Sequence, residues 1–166
     1  MTGLIMTKYL AYALENQCRQ YCSDLTIENV RWRSDQNSPA IGWILGHIVC
    51  VHDYIINHLL LDHETFTTEE FREEFGISSS GNFPENYTIP SLLDLLKTVN
   101  TQIVETISSQ SNEWLETIPP TTENLPTHMT NKNYLKVFIS HFSHLFIHIG
   151  QILEIRRMQN KGAWGY

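Results

Sequence analysis

The sequence predicts an all-α protein, a four-helix bundle with one long crossover between the second and third helices. Four segments place apolar residues at helical spacing, no segment alternates as a half-buried strand does, and the link between the second and third segments is much the longest. The 166 residues are expected to form a single domain, residues 1–166, because this length suits one domain and no repeat or boundary divides it.

The first predicted helix spans residues 4–25. Its apolar stripe is Leu10, Leu14, Cys18, Tyr21 and Leu25. The second begins near residue 38, because Ser38 is a favoured N-cap and Pro39 suits the first helical position. Its apolar face is Ala40, Ile44, His47, Ile48, Val51, Ile55 and Leu59. Gly46, before His47, is expected to let a neighbouring backbone or a ligand approach closely.

The crossover is predicted over residues 62–89, and its middle, residues 66–75, is expected to form a short acidic helix that ends at Gly76. The third helix starts at Pro90. Its face is Leu92, Leu96, Val99, Ile103 and Ile107. The fourth starts near residue 130 with a heptad-like seam. That seam is Tyr134, Phe138, His141, Leu145, His148, Ile152 and Ile155.

Composition excludes several classes of protein. At 42% hydrophobic and 17% charged residues the chain can fill a core, and its net charge of −7 argues against a nucleic-acid partner. The sequence has no run of about 18 uncharged apolar residues, so a membrane span is not expected, and the N-terminus lacks the pattern of a signal peptide. The three cysteines are odd in number and lie in helical sequence, so we expect core residues in a reducing, cytoplasmic protein.

The eight histidines are unusual for this composition. His144 and His148 are four apart on one helix, the spacing by which two imidazoles reach one metal ion, and His141 with His144 is an alternative pair. A third ligand must come from elsewhere, and His47 on the apolar face of the second helix is the candidate. The other histidines are expected to be incidental, and they are His52, His58, His63 and His128.

Three neutral imidazoles from two helices leave coordination positions open, whereas structural zinc sites use four ligands rich in cysteine. The set therefore favours an exchangeable site for a divalent ion, with Zn²⁺ or Ni²⁺ the preferred candidates. Such an ion lowers the pKa of a bound water or thiol. A carboxylate di-iron site is not expected, because the fourth helix has no Glu three residues before a histidine.

Two stretches resemble the DinB-like family of metalloenzymes: Gly42-Trp43-Ile44-Leu45-Gly46-His47-Ile48, and His144-x-x-x-His148-x-Gly150-Gln151. The resemblance extends over nearly the whole chain and implies a four-helix bundle with a long crossover. It implies that His47, His144 and His148 hold the metal, as in the three-His branch of the family. Some members of that branch are thiol S-transferases that use bacillithiol, glutathione or a similar low-molecular-weight thiol.

The leading hypothesis is a metal-dependent thiol transferase or hydrolase-like enzyme that acts on a small electrophile, with His141 and Gln151 as further groups beside the ligands. The alternative is a non-catalytic, dimeric helical bundle with a structural or vestigial metal site that serves in binding a partner. A homodimer is compatible with both hypotheses. The C-terminal residues 164–166 are expected either to fold over the end of the bundle or to contact a partner subunit.

Overall fold

The structure is a computed structural model that describes residues 2–162, so the predicted role of residues 164–166 lies outside the described residues. Over residues 2–162 the protein is all-helical, with seven α-helices, one π-helix and no strand. The α-helices are α1 (Gly3–Cys22), α2 (Ile27–Arg31), α3 (Ile41–Val51), α4 (Glu69–Phe75), α5 (Ile89–Ser108), α6 (Asn112–Leu115) and α7 (Tyr134–Met158). The π-helix, His52–Leu60, continues α3 directly.

The four predicted helices correspond to the four long elements α1, α3 with its π-helix, α5 and α7. The predicted start of the second helix is wrong by a few residues. Ser38 is not a cap, because its hydroxyl donates to Asp35 at 2.8 Å in the preceding turn. The helix begins at Ile41, and the N–H of its N-cap, Ala40, donates to the carbonyl of Gly81 in the crossover at 2.9 Å.

Helix α3 is the most deeply buried element. It contacts α2, α4, α5 and α7, and every residue from 41 to 50 is buried except Trp43, which is half-buried. A helix that is apolar on nearly all sides belongs inside a protein, and this segment is a nearly continuous apolar run. Any polar side chain on α3 therefore needs a partner within the protein.

The π-helix changes which residues face the core. Its i to i+5 bonding, seen where Leu61 N–H donates to the carbonyl of Ile56 at 3.0 Å, adds a residue to each turn. The predicted face through Ile55 and Leu59 is therefore wrong, because both are only half-buried. The buried positions are instead His52, Asp53, Ile56, Asn57 and Leu60.

Two glycines of α3 allow the crossover to pack directly against the backbone of that helix. A Cβ atom on Gly46 would lie 2.2 Å from the ring of Phe75, and one on Gly42 would lie 2.4 Å from the ring of Phe83. Both rings thus pack against bare backbone, which only glycine permits. The close approach predicted at Gly46 is that of the Phe75 side chain. The acidic helix is confirmed as α4, which ends at Phe75 with Gly76 as its C-cap.

A buried carboxylate holds the start of the crossover. Asp53 is 0% exposed and accepts bonds from the N–H and hydroxyl of Thr67, each at 2.7 Å, and from Asn57 Nδ2 at 3.0 Å. These bonds offset the cost of burying its polar oxygens.

The three cysteines Cys18, Cys22 and Cys50 are free and buried. Burial raises the pKa of Cys22 to about 12 and that of Cys50 to about 11, so both thiols stay protonated near neutral pH. They act as small core residues, as the sequence indicates. None of the helices within residues 2–162 has the length and apolar character needed to cross a membrane.

Replacing Gly46 with Ala is expected to destabilise the protein by about 1–3 kcal/mol, because the added methyl group overlaps the Phe75 ring. Gly150→Ala is the matched control, because in the middle of α7 a Cβ there would have no neighbour within 4 Å among residues 2–162. It should stabilise the protein by about 0.5–1 kcal/mol through helix propensity. Urea denaturation measures both changes, and equal effects of the two substitutions would contradict the proposed packing.

Candidate metal centre

The fold brings together one histidine of α3 and two of α7. Ligand nitrogens of His47, His144 and His148 all lie within 4.8 Å of one another. The two Nε2 atoms of His144 and His148, one helical turn apart, are separated by 3.1 Å, and the His47 ring centroid lies 4.9 Å from that of His148. This cluster can hold a metal ion.

Contacts with the crossover fix the orientation of His47. Its side chain is almost fully buried, and its Nδ1 lies 2.7 Å from the carbonyl oxygen of Phe75. Since a carbonyl only accepts, Nδ1–H donates and Nε2 keeps its lone pair toward α7. Trp43 stacks on the ring at 4.9 Å and 10°, and its own N–H donates to the Glu74 carbonyl at 3.0 Å and to the Ser79 hydroxyl at 2.8 Å.

His148 is oriented by a contact within α7. Its Nδ1 lies 2.8 Å from Oε1 of Gln151, so Nδ1–H donates and Nε2 again keeps its lone pair. In the metal-free protein Nε2–H of His144 can donate to Nε2 of His148, and a metal ion would take the place of that proton. Such hydrogen bonds at the remote nitrogen commonly orient histidine ligands.

The site favours neutral imidazoles. Burial lowers the pKa of His47 to about 4, which outweighs the opposing effect of its bond to Phe75. The pKa of His144 is also lowered, first by burial and then by the neighbouring His148 and His128. Protonation at neutral pH therefore does not compete for the lone pairs that His47 and His144 would offer to a metal.

The donor set fits a divalent ion. For Zn–N bonds of about 2.0–2.1 Å, a tetrahedral pair of nitrogens is about 3.3 Å apart, close to the observed 3.1 Å. Within residues 2–162 no Cys, Asp or Glu joins the cluster, and His144 is exposed, which leaves one side open to solvent. The arrangement suits an open three-nitrogen site better than a closed structural one.

His141 does not join this cluster. It is 0% exposed, and its Nε2 lies 3.0 Å from Nδ1 of His52. Of the two pairs that spacing allows, the structure therefore brings His144 and His148, not His141 and His144, to the same point as His47.

His52 was expected to be incidental to the metal site, and it lies outside the cluster, but it is fully buried and its Nδ1 contacts His141. A helical period of 3.6 puts it on a different face from His47, but α3 is buried on nearly all sides, so that face is also internal. In the sequence, the continuous apolar run before His52 was the feature that could have indicated the burial of His52. His58 and His63 have partners outside the cluster: Nδ1 of His58 lies 2.7 Å from the His63 carbonyl, and Nε2 of His63 lies 2.8 Å from the Thr106 hydroxyl on α5.

A comparison with family models matches residues 11–152 to the DinB superfamily. The match covers well over half of the 166 residues and includes all three clustered histidines. The resemblance read from the sequence is thereby confirmed, and the His triad supports the three-His branch in part. No curated protein matches the chain.

The metal-free protein is expected to lose stability as the pH falls from 7 to 5. Burial lowers the pKa of His52 from 6.5 to about 4, so across this range the unfolded chain binds more protons than the folded one, and stability rises with pH. One such histidine removes up to about 2 kcal/mol between pH 8 and pH 5.

Urea denaturation at a series of pH values, with a chelator present, tests this expectation. A His52→Leu variant should show a shallower dependence over the same range, since it lacks one of the buried imidazoles. Equal stability of the unmodified protein at pH 5 and pH 7 would contradict the expectation, because it would show that the histidines titrate alike in the folded and unfolded states.

Proposed function

The chain belongs to the DinB superfamily, and we propose that it is a metal-dependent enzyme in which His47, His144 and His148 hold a divalent ion, Zn²⁺ or Ni²⁺. One observation carries the proposal. Three imidazoles face one another, and the remote nitrogens of His47 and His148 already donate to Phe75 and Gln151, so their lone pairs are directed at one point.

The proposed reaction class is a thiol-dependent S-transfer or a hydrolase-like reaction on a small electrophile. A bound divalent ion supplies Lewis acidity, which lowers the pKa of a coordinated water or thiol. The chain itself provides orientation and access: Trp43 covers one face of His47, whereas the exposed His144 leaves a path for a substrate or for a low-molecular-weight thiol as co-substrate.

A cavity lined in part by Gln151, the hydrogen-bond partner of His148, is compatible with a small substrate. It has a volume of about 180 Å³. Its walls are Ser34, Ser38, Pro39, Gln151, Glu154, Ile155 and Met158. Gln151 links it to His148. A larger open groove of about 630 Å³ runs along α5, and none of the three histidines lines either space. We assign the substrate to the smaller cavity because its wall residue Gln151 contacts His148.

We interpret the long helices as a four-helix bundle with a crossover. Helices α5 and α7 each contact both α1 and α3, which places α1 and α3 on a diagonal. Residues 61–88 then form the crossover that connects the π-helix to α5. The metal ligands come from α3 and α7, which are neighbours in this arrangement.

The purified protein, dialysed against Zn²⁺ or Ni²⁺ and freed of excess metal, is expected to retain one ion per chain. His47→Ala, His144→Ala and His148→Ala should each abolish stoichiometric binding, since two nitrogens hold a divalent ion weakly. His63→Ala is the matched control, because its ring bonds to Thr106 in a different part of the fold. Elemental analysis gives the result, and a wild-type protein that stays metal-free would contradict the proposal.

Activity is tested by incubating the loaded protein with a panel of thiols and small electrophiles. Metal-dependent consumption of both reactants, lost in the His144→Ala variant, is expected. Stoichiometric binding that raises the melting temperature without turnover of any pair would favour the alternative, a non-catalytic bundle with a structural metal site.

Gln151→Leu is expected to weaken Zn²⁺ binding by about 10–100-fold, because Nδ1–H of His148 loses its acceptor and the ring is no longer held. Gln151→Glu keeps an acceptor at the same distance and should bind as tightly as the wild type or more so. Competition with a chromophoric chelator measures both affinities. Equal affinities of the Leu and Glu variants would show that this hydrogen bond does not orient His148.

A further inference from the structure

A second pair of histidines lies in the core beside the metal centre. His52 and His141 are both 0% exposed, their rings are stacked within 14° of parallel, and Nδ1 of His52 lies 3.0 Å from Nε2 of His141. Neither residue belongs to the metal cluster.

The pair joins the two helices that carry the clustered histidines. His52 follows His47 by five residues on the continuous helix of residues 41–60, about 1.4 turns, and His141 precedes His144 by three residues on α7, about 0.8 turn. Among the hydrogen bonds between described residues, this is the one that connects these two helices.

The protons in the pair have one consistent arrangement. Nδ2 of Asn100 donates to the Ala11 carbonyl at 3.2 Å and to Glu15 at 3.1 Å, so its Oδ1 is left to accept from Nε2–H of His52. Nδ1 of His52 is then an acceptor, and Nε2–H of His141 donates to it. Burial keeps both rings neutral, since it lowers the pKa of His52 to about 4 and that of His141 well below its usual value.

Stability alone does not explain this pair. Nδ1 of His141 is buried and has no hydrogen-bond partner among residues 2–162, and an unsatisfied buried acceptor is unfavourable. Two apolar side chains of similar volume, like Phe142 beside them, would remove that unsatisfied nitrogen and would give up only the 3.5 Å contact of His52 with Asn100. A directional bond does provide what apolar packing does not, because it defines the rotation and height of one helix against the other.

We propose that the hydrogen bond between His52 and His141 positions α7 against α3 so that His144 and His148 face His47. The inference rests on the proposed metal site, and it makes His52 and His141 positioning residues rather than ligands. A rotation of α7 by one residue, about 100°, would turn both ligands away from His47. Metal affinity therefore depends on a contact that does not touch the metal.

The test compares three variants of the full chain: His141→Leu, the double variant His52→Leu with His141→Leu, and His141→Gln, whose amide N–H can take the place of Nε2–H. Zn²⁺ affinity is measured by chelator competition, site geometry by the Co²⁺ absorption spectrum, and stability by the melting temperature of the metal-free protein. Both Leu variants should bind Zn²⁺ at least about tenfold more weakly with an altered Co²⁺ spectrum, whereas the Gln variant should stay within about threefold of wild type.

The double variant separates positioning from stability. His141→Leu leaves Nδ1 of His52 buried without a donor, and the double variant removes that nitrogen, so its metal-free melting temperature should be no lower than that of His141→Leu, while its affinity stays low. Val99→Ala, at a 0% exposed position on α5, is the control for simple destabilisation and should leave the Zn²⁺ affinity of the folded protein unchanged. Equal affinity losses in Val99→Ala and His141→Leu, or wild-type affinity in both Leu variants, would overturn the proposal.

A measurement on the metal-free protein tests the positioning role of His52 and His141 independently of the proposed function. Long-range ¹H–¹⁵N spectra of the imidazoles should show the ring nitrogens of His144 and His148 shifting in His141→Leu but not in Val99→Ala. Unchanged shifts in His141→Leu would overturn the positioning role even if the wild type binds metal. A wild type that binds no metal but shows these shifts would contradict the proposed function and leave the positioning contact supported.

Discussion

The contact between the Phe75 ring and the bare backbone of Gly46 is the constraint on which the rest of the site depends. It allows the end of α4 to lie directly on α3, with the ring where a side chain at position 46 would otherwise be. The carbonyl of Phe75 thereby comes within 2.7 Å of Nδ1 of His47 and determines which nitrogen of that ring keeps a lone pair. The packing of the Phe83 ring on Gly42 and the hydrogen bond from the Trp43 N–H to the Glu74 carbonyl hold the crossover in the same position on α3.

Because α3 and its π-helix are buried, each of their polar residues needs a hydrogen-bond partner at a defined position. His47, His52 and Asp53 all lie where water does not reach, and each has a partner from a different part of the chain: Phe75, His141 and Thr67. Because an unpaired buried polar group is costly, each partner must occupy one position. The crossover and α7 are thus aligned on this helix by hydrogen bonds as well as by apolar packing.

The parts of the site that depend on one helix were predictable from the sequence. The pair His144 and His148 follows from the four-residue spacing, and the contact of His148 with Gln151 from a spacing of three. The long helices were predictable for the same reason, since apolar periodicity is a local property. The buried face of the helix after Val51 was not predictable. The hydrogen bonds there change from the i to i+4 pattern to the i to i+5 pattern, and apolar residues read at a period of 3.6 do not reveal this change. The short helices α2 and α6 were also missed, because four or five residues carry too little periodicity.

By itself, the sequence determined the helical class, the spacing of the ligand pair and the candidate third ligand His47, all of which are properties of single helices. The resemblance to the DinB-like family already implied that His144 and His148 meet His47, whereas only the tertiary structure decided that Phe75 fills the space at Gly46 and that His52 bonds to His141. The physical reason is that these contacts join residues 29 positions apart (Gly46 and Phe75) and 89 positions apart (His52 and His141) in the chain. Their formation depends on how the helices pack, which no local pattern encodes.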